Sequence, residues 1–289
     1  MPRLALVLTT VIWGATFPAT KAALEHIPPL SFLFLRFFLG AVLVSVWFAV
    51  VRRRVHRDRA VLTASAVATV FLFFGYALQT VGLHYTSASN SAFLTALYVI
   101  FVPLMLWRFD GRVSLATAIA AVGLWLLIKP SLSMNVGDLM SVGCAVAFAG
   151  HIICLERFTR RFDAPSLLAW QMAATTLLFF STMWWEQASA NAFTPTTVVL
   201  IGLGVTGVLA TGAFAVQMWA QRIVPAQQVA LVFASEPAIA AWLSWHFLGE
   251  TLDLQGWAGS ALILLAVGIG AYEGQTHSRP PSAEVAEPV

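Results

Sequence analysis

Apolar stretches long enough to cross a lipid bilayer follow one another along almost the whole chain. A membrane-spanning helix needs about 20 predominantly apolar residues, and ten stretches of roughly that length are separated only by short polar or proline-containing segments. Only 10% of the 289 residues are charged, so little chain remains for a soluble domain. We therefore predict an all-α integral membrane protein of ten transmembrane helices. The predicted spans cover residues 3–25, 30–52, 60–83, 87–108, 112–130, 137–157, 164–185, 196–221, 226–248 and 252–272.

Basic residues are concentrated on one side of these predicted spans. If ten spans alternate in direction, thirteen of the sixteen lysines and arginines fall on the side of the N-terminus, against Lys129 alone on the other side. Because short cytoplasmic loops carry an excess of Lys and Arg, we expect a multi-pass protein of a bacterial inner membrane with both termini in the cytoplasm. The thirteen are Arg3, Arg52, Arg53, Arg54, Arg57, Arg59, Arg108, Arg112, Arg157, Arg160, Arg161, Arg222 and Arg279.

The two halves of the chain resemble one another. A shift of 138 residues aligns the third to fifth spans with the eighth to tenth and places Gln79 on Gln217, and a weaker shift of 135 places Arg36 on Gln171. Since each half holds an odd number of spans, the second half enters the membrane inverted, which is the plan of many secondary transporters. We expect two five-helix repeats around a central cavity, followed by a disordered cytoplasmic tail. The predicted bounds are 1–132, 133–272 and 273–289.

Four segments carry a resemblance to a known family. They are WGATFPATKAALE at 13–25, LRFFLGAVL at 35–43, TSASNSAFLTALYVIFVPL at 86–104 and SEPAIAAWLSWHFLGE at 235–250. In these segments the chain resembles the drug/metabolite transporter (DMT) superfamily in its EamA-type ten-helix branch, and within it the aromatic amino-acid exporter group. The resemblance implies a basket in which spans one to four and six to nine line a central cavity, while spans five and ten pack outside.

From the repeat and the resemblance we expect a secondary transporter that exports small organic solutes by alternating access, above all amino acids with aromatic or other apolar side chains. The alternatives are a transporter of other metabolites or drugs in the same fold, and a channel or receptor. Neither a G-x-S-x-G nor an H-E-x-x-H motif nor a P-loop occurs, so we expect no enzyme, catalytic residue, metal or cofactor. The expected partners are a small-molecule substrate and the lipid bilayer, with no nucleic acid, and the protein is expected to be a monomer.

Aromatic and amide side chains within the spans are the candidates for substrate binding, because ligand pockets combine apolar walls with a few polar groups. Gln79 and Gln217 are favoured as a symmetry-related polar pair. Thr95 and Tyr98 share one face of the fourth span with Ser87 and Ser91, and this hydroxyl face either lines the cavity or bonds neighbouring helices. The predicted substrate-binding residues are Trp13, Phe17, Tyr76, Gln79, Thr95, Tyr98, Trp170, Gln217 and Trp219, with Phe214 as a further aromatic candidate.

Four ionisable side chains fall inside spans, where an unpaired charge is costly and marks a functional or paired group. Glu236 is either a proton or cationic-substrate site, or a fixed polar partner for an ion or for the backbone freed by Pro237. Lys21 and Arg36 either bind a substrate carboxylate or anchor the protein at the membrane interface. His151 either packs through a hydrogen bond or relays protons.

Glycine is frequent in the eighth span, at residues 202, 204, 207 and 212. These glycines either allow close helix packing or let the span bend during gating, since glycine lowers the cost of altered backbone angles.

Overall fold

The computed structural model describes residues 2–108, 111–128, 134–186, 196–249, 251 and 253–276. Within these ranges every regular element is a helix. The helices are α1 (Pro2–Ala23), α2 (Pro29–Val50), α3 (Arg59–Gly82), α4 (Ala88–Ala96), α5 (Tyr98–Leu106), α6 (Gly111–Ile128), α7 (Val136–Thr159), α8 (Ala164–Thr182), α9 (Thr197–Leu203), α10 (Ala210–Gln221), α11 (Ala226–Phe233), α12 (Glu236–Leu248) and α13 (Leu254–Thr276).

These helices form ten membrane spans in the described ranges. Helices α4 and α5 make the fourth span, a 3₁₀ turn at Met183–Trp185 extends α8, and a π-helical segment at Gly204–Leu209 joins α9 to α10 in the eighth span. The ninth span consists of α11 and α12. Seven of the ten are long and apolar enough on their own to cross a bilayer, the others being shorter or interrupted. The prediction of an all-α, ten-helix membrane protein is confirmed.

Polar side chains at the span ends fix where several helices begin. Ser87 accepts a hydrogen bond from the backbone N–H of Asn90 (3.1 Å), and so caps α4. Asn135 and Asp138 form a reciprocal capping box at the start of α7. Such caps satisfy backbone N–H groups that have no partner inside the helix, and each contributes about 1 kcal/mol.

The connections rich in arginine meet at one end of the bundle. Arg53, after α2, forms an ion pair with Asp163, before α8, and the Gln227 side chain at the start of α11 donates to the carbonyl oxygen of Arg108 (2.7 Å). We call this the basic end, and the other the opposite end. Lys129, Arg279 and the proposed repeat boundary at 132 lie outside the described residues. The tail was predicted to begin at 273, but α13 continues to Thr276, which corrects that bound, and the rest of the tail lies outside the described residues.

The packing of the spans repeats between the two halves. Helix α1 packs against the eighth and ninth spans, and α7, its counterpart, packs against the third and fourth. Helices α2 and α8 pack side by side, as do α6 and α13. The last pair approaches so closely that a Cβ at Gly123 would lie 2.8 Å from the carbonyl oxygen of Gly259. Two inverted five-helix repeats therefore surround a common centre, with the fifth and tenth spans paired outside.

Two spans are broken at equivalent places. The α-helical hydrogen bonding of the fourth span lapses at Leu97, whose N–H bonds to Leu94 three residues back (3.3 Å), and that of the ninth span lapses at Ser235, whose N–H bonds to Val232 (3.2 Å). Leu97 and Ser235 are 138 residues apart, the repeat shift found in the sequence. Each break makes the next residue, Tyr98 or Glu236, the first residue of a new helix in the middle of a span.

Candidate functional site

A small cavity lies at the centre of the bundle, between helices of both repeats. Its volume is about 50 Å³, which is room for a few water molecules, since one water needs about 10–15 Å³. The lining residues come from α1, α3, α5, α7, α10, α11 and α12, and they are Trp13, Thr16, Phe17, Tyr76, Gln79, Tyr98, Phe148, His151, Ile152, Phe214, Gln217, Phe233 and Glu236.

The two symmetry-related glutamines both reach this cavity. Gln79 is buried in its wall and donates to Thr95 Oγ1 at 3.5 Å. Gln217 is buried as well and donates to Gln221 Oε1 at 3.0 Å. Thr95 therefore lies behind Gln79 and orients its amide, and takes no direct place in the wall. The repeat thus presents one amide group from each half of the protein to the same space.

The cavity contains one carboxyl group, that of Glu236, which is 6% exposed. The hydroxyl group of Tyr98 is buried and faces this carboxyl group without reaching hydrogen-bonding geometry. Among the described residues, no lysine, arginine or histidine forms an ion pair with Glu236. The break in the ninth span makes Glu236 the first residue of α12, in the middle of the span.

Aromatic rings form most of the remaining wall. Trp13 packs edge-on against Phe214 with centroids 4.6 Å apart, and Tyr76 packs in the same way against Phe148 at 5.0 Å. Edge-to-face pairs of this kind fix ring orientation and contribute about 0.5–1.5 kcal/mol beyond their burial. The indole N–H of Trp13 is buried and has no hydrogen-bond partner among the residues that the structure describes, which leaves a donor available beside the cavity.

Arg36 lies one layer behind the cavity wall, neither at the membrane interface nor in direct contact with the cavity. Its guanidinium carbon is 4.0 Å from the centroid of the Tyr76 ring, and its side chain is 3% exposed. Gln171, its counterpart in the second repeat, bonds to His151 (2.9 Å). His151 therefore both lines the cavity and packs through a hydrogen bond. The two equivalent positions, Arg36 and Gln171, thus each contact a side chain of the cavity wall, Tyr76 and His151 respectively.

Lys21 closes the bundle at the opposite end and is absent from the cavity wall, which corrects the prediction that it binds a substrate carboxylate there. Its ammonium group donates to the carbonyl oxygens of Leu83 (2.6 Å) and Thr86 (2.9 Å), where α3 ends. Thr86 in turn donates to Asp138 (2.8 Å) at the start of α7. These two carbonyl oxygens hold the ammonium group at this end of the bundle, and Lys21 does not line the cavity. We call this set the opposite-end contacts.

A second set of contacts closes the basic end. Glu156 of α7 accepts a hydrogen bond from the backbone N–H of Ala226 (2.9 Å) at the start of α11 and an ion pair from Arg160 (3.0 Å). One turn deeper, Gln221 donates to the carbonyl oxygen of Ile152 (2.8 Å). These are the basic-end contacts. These two polar closures join different helices at the two ends of the bundle.

Two predicted wall residues lie elsewhere. The indole of Trp170 donates to the carbonyl oxygen of His56 (2.9 Å) at the basic end. Trp219 is 45% exposed on the outer face of α10, because it follows Gln217 by two residues and so points about 200° away from it. The abundance of aromatic residues did not show which face of a helix each one occupies. The prediction that Trp170 and Trp219 line the cavity is therefore corrected.

The hydroxyl face of the fourth span serves both of the roles considered for it. Ser91 bonds to Ser141 (3.1 Å) and Thr95 contacts Cys144 (3.7 Å), so this part of the face joins α4 to α7. Only Tyr98 reaches the cavity.

Four residues of the wall were missed by the sequence prediction: Thr16, Phe148, Ile152 and Phe233. Thr16 could have been found, because the 135-residue shift aligns it with His151.

Within the described ranges no three His, Cys, Asp or Glu side chains come together as a metal site would need.

Known proteins resemble this chain over most of its length. The family model described as the EamA-like transporter family matches twice, at residues 2–128 and 135–270. An uncharacterized transporter of Archaeoglobus fulgidus is 30% identical, over 91% of this chain and 83% of its own. The transporter YvbV of Bacillus subtilis is 26% identical over 91% and 89%, and the inner membrane transporter YhbE of Escherichia coli is 26% identical over 61% and 60%. A solved crystal structure shares the fold with a TM-score of 0.75 at 14% identity, covering 95% of this chain and 98% of that one.

Proposed function

Because the chain belongs to the EamA-like transporter family, we propose that it is a secondary transporter which exports small organic solutes by alternating access, amino acids with aromatic or other apolar side chains foremost. The observation that carries the proposal is the cavity between the repeats, with the carboxyl group of Glu236 in a wall made mostly of aromatic and amide side chains. Binding sites for small organic molecules have this composition of apolar walls and few convergent polar groups.

The chemistry of the wall favours a solute that carries an amino group. Glu236 can accept a charge-assisted hydrogen bond from an ammonium group, which is about twice as strong as a neutral one. The Gln79 and Gln217 amides and the Trp13 indole N–H supply neutral donors for a carboxylate, and no lysine or arginine of the described residues lines the wall. Rings such as Trp13 and Phe214 offer flat surfaces to an apolar side chain.

Transport requires the cavity to widen, because about 50 Å³ is too small for an amino acid. The two closures provide the means: breaking the opposite-end contacts separates α1 and α3 from α7, and breaking the basic-end contacts separates α7 from α11. Two inverted repeats allow these rearrangements to be mirror images that expose the same site to either side in turn.

The same proposal includes the orientation in the membrane. The basic end gathers the arginines of four connections and of the N-terminal segment, and such an excess marks the cytoplasmic side. The relative YhbE is named as an inner membrane transporter. We therefore place the basic end, and with it both termini, in the cytoplasm of a bacterial cell.

Reconstitution into proteoliposomes tests the proposal. Flux of radiolabelled phenylalanine, leucine, phenethylamine and phenylacetate is compared with that in empty liposomes, in both directions. We expect amino acids to move and the amine, but not the acid, to compete with them. Absence of flux for every solute would contradict the transporter, competition by phenylacetate alone would contradict the role of the carboxyl group, and unitary single-channel currents would favour a channel instead.

A further inference from the structure

A second, much larger cavity lies against α10 toward the basic end. Its volume is about 430 Å³, against about 50 Å³ for the central cavity. Its walls come from the second half of α2, the start of α8 and α10, and include Leu43, Trp47, Gly212, Ala215 and Trp219. We call it the lateral groove.

The lateral groove opens on the outside of the bundle and not into the central cavity. Gly212, Ala215 and Trp219 are exposed and lie on one face of α10. Phe214 and Gln217 of the same helix line the central cavity, and at 100° per residue they occupy the other side of it. Since the outer face of a membrane span contacts lipid, the groove is open to the bilayer.

The extent of the groove along α10 matches one leaflet. It reaches from Val208 to Arg222, fourteen residues or about 21 Å at 1.5 Å per residue. Half of the hydrocarbon core is about 15 Å thick, so a groove that ends at a charged residue of the membrane surface begins near mid-membrane. Trp47 and Trp219 flank it, as tryptophans commonly do near the interface.

Arginines stand at the surface end of the groove. Arg53 and Arg222 both line it, and Arg53 also pairs with Asp163. Arg222 is exposed and forms no ion pair with another described side chain. The two guanidinium groups and one carboxylate leave a net positive charge at the level of phospholipid headgroups, and basic pockets between spans bind anionic headgroups.

We propose that the lateral groove binds an anionic phospholipid of the leaflet at the basic end, with one acyl chain between α2 and α10 and the phosphate on Arg222 and Arg53. The apolar walls fit the acyl chain, and the arginines fit the phosphate by charge. The inference does not depend on what the protein transports.

Photo-crosslinking tests the occupant directly. The full-length protein is reconstituted in phosphatidylcholine vesicles that contain a small fraction of phosphatidylglycerol with a photoreactive diazirine on one acyl chain, and cross-linked peptides are identified by mass spectrometry. We expect cross-links concentrated on the segments around Leu43 to Phe48 and Gly212 to Trp219. Cross-links spread evenly over all lipid-facing helices would overturn the proposal, and so would protection by a transported solute, since that would assign the groove to the transport path.

Filling the groove provides the matched variant. A Cβ at Gly212 meets no atom within 4 Å, so Gly212→Phe is expected to fold normally and to abolish the concentrated cross-links. Gly204→Phe is the control, because Gly204 has the same open space but lies in the other half of the same span. Ala215→Phe fills the groove independently if Gly212→Phe misfolds. Cross-linking by either filled variant at the control level would overturn the proposal.

The headgroup is tested by charge. Arg222→Gln is expected to lower the preference for phosphatidylglycerol over the same diazirine probe of phosphatidylcholine by about fivefold, since one arginine near an anionic surface contributes about 1 kcal/mol. Equal cross-linking of the two probes to the unmodified protein would overturn the assignment of an anionic lipid.

Discussion

Tyr98 and Glu236 are separated by the 138 residues of the repeat, and their side chains meet in the central cavity. Each is the first residue after a break in its span. The scaffold is therefore symmetric at its centre while the chemistry is not, because one repeat supplies a hydroxyl group and the other a carboxyl group. This places the one acidic side chain among the described residues of the cavity wall on the boundary between the two halves.

The first prediction concerns this carboxyl group. Glu236→Gln keeps the size and polarity of the side chain and removes its charge and its capacity to exchange a proton. We expect flux of amino-group solutes to fall by about 10- to 100-fold, the loss of a charge-assisted hydrogen bond of about 1.5–3 kcal/mol, and its response to an imposed pH gradient to disappear. Proteoliposome flux with and without the gradient measures both.

Glu25→Gln is the control for this change, because it removes a carboxyl group from an exposed position in the connection after α1. It should leave flux and pH response as they are. A Glu236→Gln protein with the pH response of the unmodified protein would exclude the proton role.

The second prediction concerns the closure at the opposite end. Lys21→Met removes two hydrogen bonds from a charged donor to the carbonyl oxygens of Leu83 and Thr86. We expect the unfolding free energy in detergent to fall by about 1–3 kcal/mol, seen as a lower midpoint of thermal unfolding. Arg57→Met, at an exposed position of the basic end, should leave the midpoint unchanged. Equal midpoints for all three proteins would show that Lys21 does not hold this end closed.

The third prediction concerns the π-helical segment of the eighth span. A Cβ at Gly207 would lie 2.9 Å from Leu39 Cδ2 and 3.3 Å from the carbonyl oxygen of Arg36. Gly207→Leu should therefore destabilise the protein by about 1–3 kcal/mol through overpacking and slow transport, because single-turn π segments frequently mark functional sites. Gly204→Leu has open space and should do neither. Normal flux in Gly207→Leu would remove bending of this span from the mechanism.

The fold was predictable because the bilayer imposes a length on every span, and the repeat was visible as a constant shift. Gln79 and Gln217 were identifiable because the 138-residue shift aligns these two polar side chains within apolar spans. The partners of Lys21 and Arg36 were not predictable, since they are backbone carbonyls and an aromatic ring brought close only by packing. With 11 tryptophans and 21 phenylalanines, the cavity rings could be separated from Trp170 and Trp219 only by the helical phase that the structure supplies. The lateral groove left no motif, because its walls come from segments of three spans that only the packing brings together.

Access to the cavity from both sides tests the central claim most directly. In a background with Cys144 and Cys154 replaced by alanine, a single cysteine at the cavity position Thr16 (Thr16→Cys) is labelled in proteoliposomes with a membrane-impermeant maleimide applied to one side or the other. We predict labelling from both sides, faster from the opposite end when Lys21→Met is added and faster from the basic end when Glu156→Gln is added. Labelling from one and the same side in all three proteins, or from neither, would contradict a shared chamber that opens alternately.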